Sequence, residues 1–147
     1  MGDKIVSETM QAPETMNANN SISKKTKLFG LIGEKAGTNN LFAKINKLIK
    51  ANSVDAMIIP MNIREDDFYF TIANMKKSHV DGAYIEEEFQ TSVLDLLDYR
   101  DEIVDVYNRC DFIVKEGETL RGFLLQKNDV SSKDELAQKI YEEIIKD

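Results

Sequence analysis

The sequence contains one cysteine, one histidine and two prolines in 147 residues. A lone Cys110 permits no intrachain disulfide and points to a reducing, cytoplasmic setting. His79 is the only other soft ligand, so a structural zinc site lacks its donor set and no metal is expected. No apolar run approaches the ~20 residues of a membrane span. The N-terminus has no apolar core of the signal-peptide kind. Met1-Gly2 is followed by Val6, where a myristoylation signal needs Ser or Thr. Glycine is scarce too: Gly30, Gly33 and Gly37 fit neither the dinucleotide nor the Walker spacing, so no cofactor-binding residues are expected. A basic face is also missing. Net charge is −7, with residues 81–105 carrying nine acids against Arg100, and residues 26–55 five lysines against two acids. That balance argues against a nucleic-acid groove. The acidic stretch is read first as a solvated face.

What is present suits one α/β domain. Residues 1–25 are rich in Asn, Ser, Thr, Glu and Met without periodicity, and are expected to form a disordered or loosely attached tail before a folded unit spanning 26–147. Lys27 to Gly33 reads as a buried strand closed by glycine. Asn39 or Asn40 is placed to cap a helix whose apolar stripe is Leu41, Ile45 and Leu48, with Lys44, Lys47 and Lys50 facing solvent. Asp55 to Ile63 is a second strand with Pro60 near its end. Asp66 or Asp67 opens a helix using Phe68, Ile72 and Met75. Gly82 to Ile85 is a third strand that runs into Glu86-Glu87-Glu88, followed by a helix using Val93, Leu94 and Leu97. Strand alternation puts Glu86 and Glu88 on one face and Glu87 on the other. Phe112-Ile113-Val114 and Leu120 to Leu125 flank a Gly-containing loop, reading as a β-hairpin. Ser132-Lys133-Asp134-Glu135 is a capping box opening a last helix at about 132–146, with Leu136, Ile140 and Ile144 on one stripe. Strands alternating with helices predict a three-layer domain with a mostly parallel sheet and the hairpin as its antiparallel edge.

Leu28-Phe29-Gly30-Leu31-Ile32-Gly33 resembles the first strand of the N-terminal, substrate-binding domain of shikimate dehydrogenases, an aminoacid dehydrogenase-like fold. Ile59-Pro60-Met61-Asn62-Ile63 is similar to that family's L-P-F-D-V segment. Gly82 to Gln90 falls on G-x-N-V-T-I-P-H-K, Asn108 to Val114 on G-A-V-N-T-V-V, and Leu120 to Gln126 on L-x-G-x-N-T-D. The resemblance covers about residues 26–126 and rests on spacing and apolar pattern, because most signature residues are replaced. It implies an oxidoreductase of aromatic amino acid biosynthesis that moves a hydride between NADP and shikimate. A lysine and an aspartate of that family handle the proton; Gln90 and Gln126 stand in their places. The family's asparagine and threonine become Tyr84 and Glu86, and a later asparagine becomes Asp111. Its Ser-x-Ser for the substrate carboxylate corresponds to the turn Thr38-Asn39-Asn40, one residue shorter here. The resemblance thus implies a candidate pocket of Thr38, Asn39, Asn40, Tyr84, Glu86, Gln90, Asp111 and Gln126.

A glutamine hydrogen-bonds but shuttles no proton near neutral pH, and acid–base help is worth about 10²–10⁴ in rate. No catalytic residue is therefore expected. Glu86 puts a like charge near an anion; at about 5 Å that repulsion is roughly 3 kcal/mol at an effective dielectric of 20, and Asp111 is expected to add to it. Shikimate should be rejected. The chain ends about 20 residues after Gln126, where the family continues into a cofactor-carrying Rossmann domain. Three readings follow: a non-catalytic relative that binds a small molecule or a protein partner; the substrate half of a shikimate or quinate dehydrogenase completed by a separate NADP subunit; and a structural module that pairs with a second copy. Nucleic acid and membrane are not expected partners.

Overall fold

The computed structural model describes residues 26–38, 40–127 and 132–146. The expected tail 1–25 lies outside them. Ten regular elements follow in order: β1 (Lys27–Gly33), α1 (Leu41–Ala51), β2 (Ala56–Asn62), α2 (Phe68–Met75), β3 (Gly82–Ile85), β4 (Tyr99–Arg100), α3 (Glu102–Tyr107), β5 (Phe112–Glu116), β6 (Thr119–Phe123) and α4 (Lys133–Ile144). One six-stranded sheet runs β2-β1-β3-β5-β6-β4. The β1–β2, β1–β3 and β4–β6 pairings are parallel, while β3–β5 and β5–β6 are antiparallel. The hairpin is therefore not the edge: the two-residue β4 lies outside β6, and neither β4 nor α3 was foreseen.

Alternation along the strands divides the core in two. Ile32, Ala83, Ile85 and Ile113 face α2, α3 and the turns after β3. Phe29, Leu31, Tyr84 and Phe112 face the opposite layer, where α1 and α4 pack. Stacked rings mark both layers, Phe68 on Phe89 with centroids 4.4 Å apart and Phe29 on Phe112 at 5.8 Å. The three-layer α/β arrangement is as expected. In α1 the buried stripe is Leu41, Ile45 and Ile49, with Leu48 only half-buried.

The outer edge of β2 is closed by side chains. Asn46 of α1 donates to the Ile58 carbonyl at 2.9 Å and accepts from its N–H at 3.0 Å. Pro60, two residues on and so turned the same way, offers no N–H there. An edge so capped resists pairing with another strand.

Three local expectations are corrected. The stretch 90–97 is not a helix: 3-10 turns cover Glu87–Phe89 and Ser92–Leu96. An α-helix would need the Gln90 carbonyl for Leu94, yet that carbonyl accepts from the Cys110 N–H at 3.0 Å, and Leu94 N–H turns back to Thr91. Arg100 takes the Leu94 carbonyl at 2.9 Å. Tertiary partners have claimed the bonds a helix requires. Asn40 stands at the N-cap of α1 in helical backbone (φ −72°, ψ −5°) and its side chain makes no capping bond; capping oxygens reach back from extended backbone. Asn39 is outside the described residues. The hairpin loop is shorter than expected: Glu116 pairs with Thr119, leaving Gly117-Glu118 as the turn, with Gly117 at φ +65° as two-residue hairpins need. The capping box is present, Ser132 Oγ accepting from Glu135 N–H at 3.2 Å and the Glu135 carboxylate from Ser132 N–H at 3.1 Å.

Phe112 has no exposed surface, whereas Phe70 is 71% exposed. Phe112→Ala should cost about 3–5 kcal/mol in urea unfolding, and Phe70→Ala no more than about 0.5 kcal/mol. Equal costs would contradict this placement of the core.

Candidate functional site

The topology gathers one end of the sheet. Because β5 runs antiparallel to β3 and β6 antiparallel to β5, the end of β3, the start of β5 and the end of β6 lie side by side: Tyr84 pairs with Phe112, and Phe112 with Phe123. This is the carboxyl end of parallel β1 and β3, where open α/β sheets bind ligands. A cavity of about 510 Å³ opens there, lined by Leu41, Tyr84, Glu86, Glu87, Gln90, Arg109, Gln126, Lys127, Lys133 and Leu136. That volume is in the range of small-molecule sites. The strands supply the floor, and the first turn of α4 supplies Lys133 and Leu136.

Of the residues singled out from sequence, Tyr84, Glu86, Gln90 and Gln126 share this cavity. Thr38 lines a neighbouring cleft with Glu34, Lys35, Glu86, Glu88 and Lys133, its hydroxyl donating to the Lys35 carbonyl. Asn40 lies in a groove between α1 and α4. Asp111 is wholly buried and does not line the cavity. Its two carboxylate oxygens accept from the N–H groups of Leu125 at 2.7 Å and Gln126 at 3.0 Å. Asp111 therefore anchors the segment after β6 and is not a ligand-facing charge.

Gln90 is only 6% exposed. Its amide nitrogen donates to the Ile85 carbonyl at 2.9 Å, and its oxygen accepts from Arg109 Nη1 at 3.0 Å. Arg109 Nη2 also donates to the carbonyls of Gln126 at 2.7 Å and Lys127 at 2.9 Å. One guanidinium thus ties the turn after β3 to the segment after β6. Arg109 reaches this position because Asn108, in left-handed backbone (φ 55°), ends α3 and turns the chain into β5.

The acids do not alternate as expected. The strand ends at Ile85 and a 3-10 turn begins at Glu87, so Glu86 and Glu87 both line the cavity. Glu88 instead accepts from the Glu34 N–H at 2.8 Å. The Glu86 carboxylate folds over Gly33, where any Cβ would collide with it. Three cations missed in the sequence, Arg109, Lys127 and Lys133, share the lining with these two acids. The expected one-signed repulsion of an anion is thus corrected: both signs face the cavity. Only Arg109 carried a local signal, a cation three residues before a strand that begins at a sheet end. Lys133 comes from a helix that returns across the sheet, which no local pattern reveals.

Two polar groups stand out. Gln126 Oε1 is buried and has no hydrogen-bond partner. Tyr84 is 5% exposed, yet its hydroxyl is not among the buried polar atoms that lack a partner. Burial, with Asp111 and Glu86 nearby, pushes the Tyr84 hydroxyl well above its ordinary range, so it remains protonated and able to donate. Burial likewise pushes the Cys110 thiol up to about 12, leaving it an inert small apolar group. His79 is exposed in the turn before β3, away from the lining. Among the described residues no cluster of three His, Cys, Asp or Glu side chains suits a metal. No helix there is long and apolar enough to cross a membrane.

Burial raises the Asp111 carboxyl above 3.8, outweighing the N–H bonds from Leu125 and Gln126 that lower it. Its folded pKa therefore exceeds its unfolded one. As pH falls through the folded pKa, the folded state takes up a proton first and stability is gained, fully so below the unfolded pKa. The destabilisation caused by Asp111→Asn, read from urea unfolding, should therefore grow as pH falls from about 7 to about 4. A loss that shrinks over that range would contradict the raised carboxyl.

No protein-family model matches the chain. Among curated proteins it is 28% identical over 101 residues to a shikimate dehydrogenase (NADP(+)) of Dictyoglomus turgidum, covering 69% of this chain and 37% of that protein. Shikimate dehydrogenase from Aquifex aeolicus superposes with a TM-score of 0.64 at 20% identity, covering 69% of this chain and 38% of the other. 5-Ketofructose reductase of Gluconobacter sp. strain CHM43 also superposes at 0.64, with 17% identity over 69% of this chain and 36% of that one. The chain spans little more than a third of these proteins' lengths. Its fold is the one they share over that part, and its sequence resembles shikimate dehydrogenase there.

Proposed function

We propose that this domain is a non-catalytic relative of the shikimate dehydrogenase substrate-binding domain, and that the cavity at the end of β3 holds a small polar molecule without transforming it. The observation that carries the reading is Gln90. At the position where the family places its proton-handling lysine stands a buried amide, held between the Ile85 carbonyl and Arg109. Its oxygen and nitrogen are both engaged by the protein, and an amide has no proton to give near neutral pH. Gln126, at the aspartate position, has the same limitation. The cavity itself supports binding: it has the volume, and the buried Gln126 Oε1 is without a protein partner. Wrapping Gln90 in structural bonds removes the chemistry and keeps the shape.

Two measurements test this. Incubated with NADP and shikimate or quinate, the protein should form no NADPH above background. Turnover would overturn the non-catalytic reading, and turnover appearing only with an added cofactor subunit would move the assignment to a split dehydrogenase. In thermal unfolding, a ligand at about 100 times its Kd should stabilise the fold by about 2.7 kcal/mol. Gln126→Leu should abolish that shift while leaving a folded protein.

A further inference from the structure

The two helical layers differ in what they leave to solvent. α2 turns Phe68, Ile72 and Met75 toward the sheet, yet Tyr69 and Phe70 are 48% and 71% exposed. Phe70 is the most exposed large apolar side chain among the described residues. Exposed Ala73 follows one turn on, and exposed Glu65 and Asp66 stand one turn before the rings. Residues three and four apart are neighbours on a helix surface, so these side chains form one patch. Among the described residues neither acid enters a salt bridge.

The opposite layer carries the converse. A groove of about 500 Å³ runs between α1 and α4, lined by Ala43, Leu48, Ala51 and Ala137 together with Lys44 and Lys47. Lys44 is committed to Asp134 at 2.8 Å, whereas Lys47 lends that carboxylate only its field. Lys50, one turn further along α1, is exposed. The groove is concave, floored by small side chains and rimmed by cations; the α2 patch is convex, aromatic and fringed by acids.

We propose that the α2 patch docks into the α1–α4 groove of a second copy of this chain, with Tyr69 and Phe70 on the alanine-lined floor and Glu65 and Asp66 against Lys47 and Lys50. Aromatic side chains seated in a pocket are the usual anchors of an interface. The net charge of −7 opposes association at long range, but at physiological salt screening sets in beyond about 8 Å and contact pairs decide. Pairing α2 with α2 across a two-fold axis would instead set like charges together, which is costly. Because α2 and the α1–α4 pair pack on opposite faces of the sheet, no molecule fills its own groove. The contact is heterologous, and each added copy leaves one patch and one groove open.

Sedimentation velocity of the full chain tests this. The unaltered protein should associate reversibly at high micromolar concentration, its mean sedimentation coefficient rising past that of a dimer. Phe70→Ser removes the knob and Lys47→Glu reverses the groove; each alone should weaken association at least about tenfold, with unfolding midpoints unchanged because both side chains are exposed. An equimolar mixture of the two variants should then form a dimer and stop, since it holds one intact patch and one intact groove. An unaltered protein that stays monomeric or halts at a dimer would overturn the proposal. So would loss of association by Phe70→Ser but not by Lys47→Glu, or a mixture that stays monomeric.

Discussion

Arg109 donates on one side to the buried amide of Gln90 and on the other to two successive backbone carbonyls, those of Gln126 and Lys127. Asp111, two residues along, accepts from the backbone N–H groups of Leu125 and Gln126. Between them these two residues satisfy the chain leaving β6 through both its donors and its acceptors. The residues leading into β5 therefore hold together the three strand ends that form the cavity floor. Leaving a buried donor or acceptor unmade costs about 1–3 kcal/mol each, so the arrangement tolerates little drift. Gln90 belongs to this framework as fully as any core residue.

On the proposed reading, this framework explains how a site keeps its shape without the family's chemistry. In shikimate dehydrogenases, by the sequence resemblance, the position of Gln90 is a lysine that handles a proton. Here the same position contributes a strut, and a neutral amide suits a strut better than a lysine, since it both donates and accepts. The charges that remain around the cavity sit on its rim: Glu87, Lys127 and Lys133 are exposed, and Glu86 is half-buried against Gly33. On the proposed binding reading, charges so placed would select among ligands by sign, and the buried Gln126 Oε1 would add direction.

Much of the fold could be read from the sequence, because its signals are local. The glycine-closed run of β1, the Phe68, Ile72, Met75 stripe of α2 and the Ser132–Glu135 capping box need no distant partner, and all three are present. The site was legible in part. Tyr84, Glu86, Gln90 and Gln126 come together because the ends of β3 and β6 lie at the same end of the sheet, either side of β5. The remainder depended on contacts between distant segments. Residues 90–97 have helical spacing but lose their carbonyls to Cys110 and Arg100. Glu87 turns toward the cavity because β3 stops one residue before the acids begin. Asp111 is polar in sequence and looks ligand-facing, yet it is consumed by backbone N–H groups that arrive from fourteen and fifteen residues away. Lys133 faces the cavity only because α4 folds back beside α1, where Lys44 meets Asp134 at 2.8 Å.

The account stands on Gln90 being a structural amide. Solvent exchange of side-chain amide protons, followed by nuclear magnetic resonance, reports on this directly, since exchange needs the N–H to be released to water. The Gln90 side-chain amide should exchange orders of magnitude more slowly than that of exposed Gln138, and Arg109→Met should bring the two rates together. Exchange at Gln90 as fast as at Gln138 in the unaltered protein would mean that the amide is free to serve a ligand, and the central claim would fail.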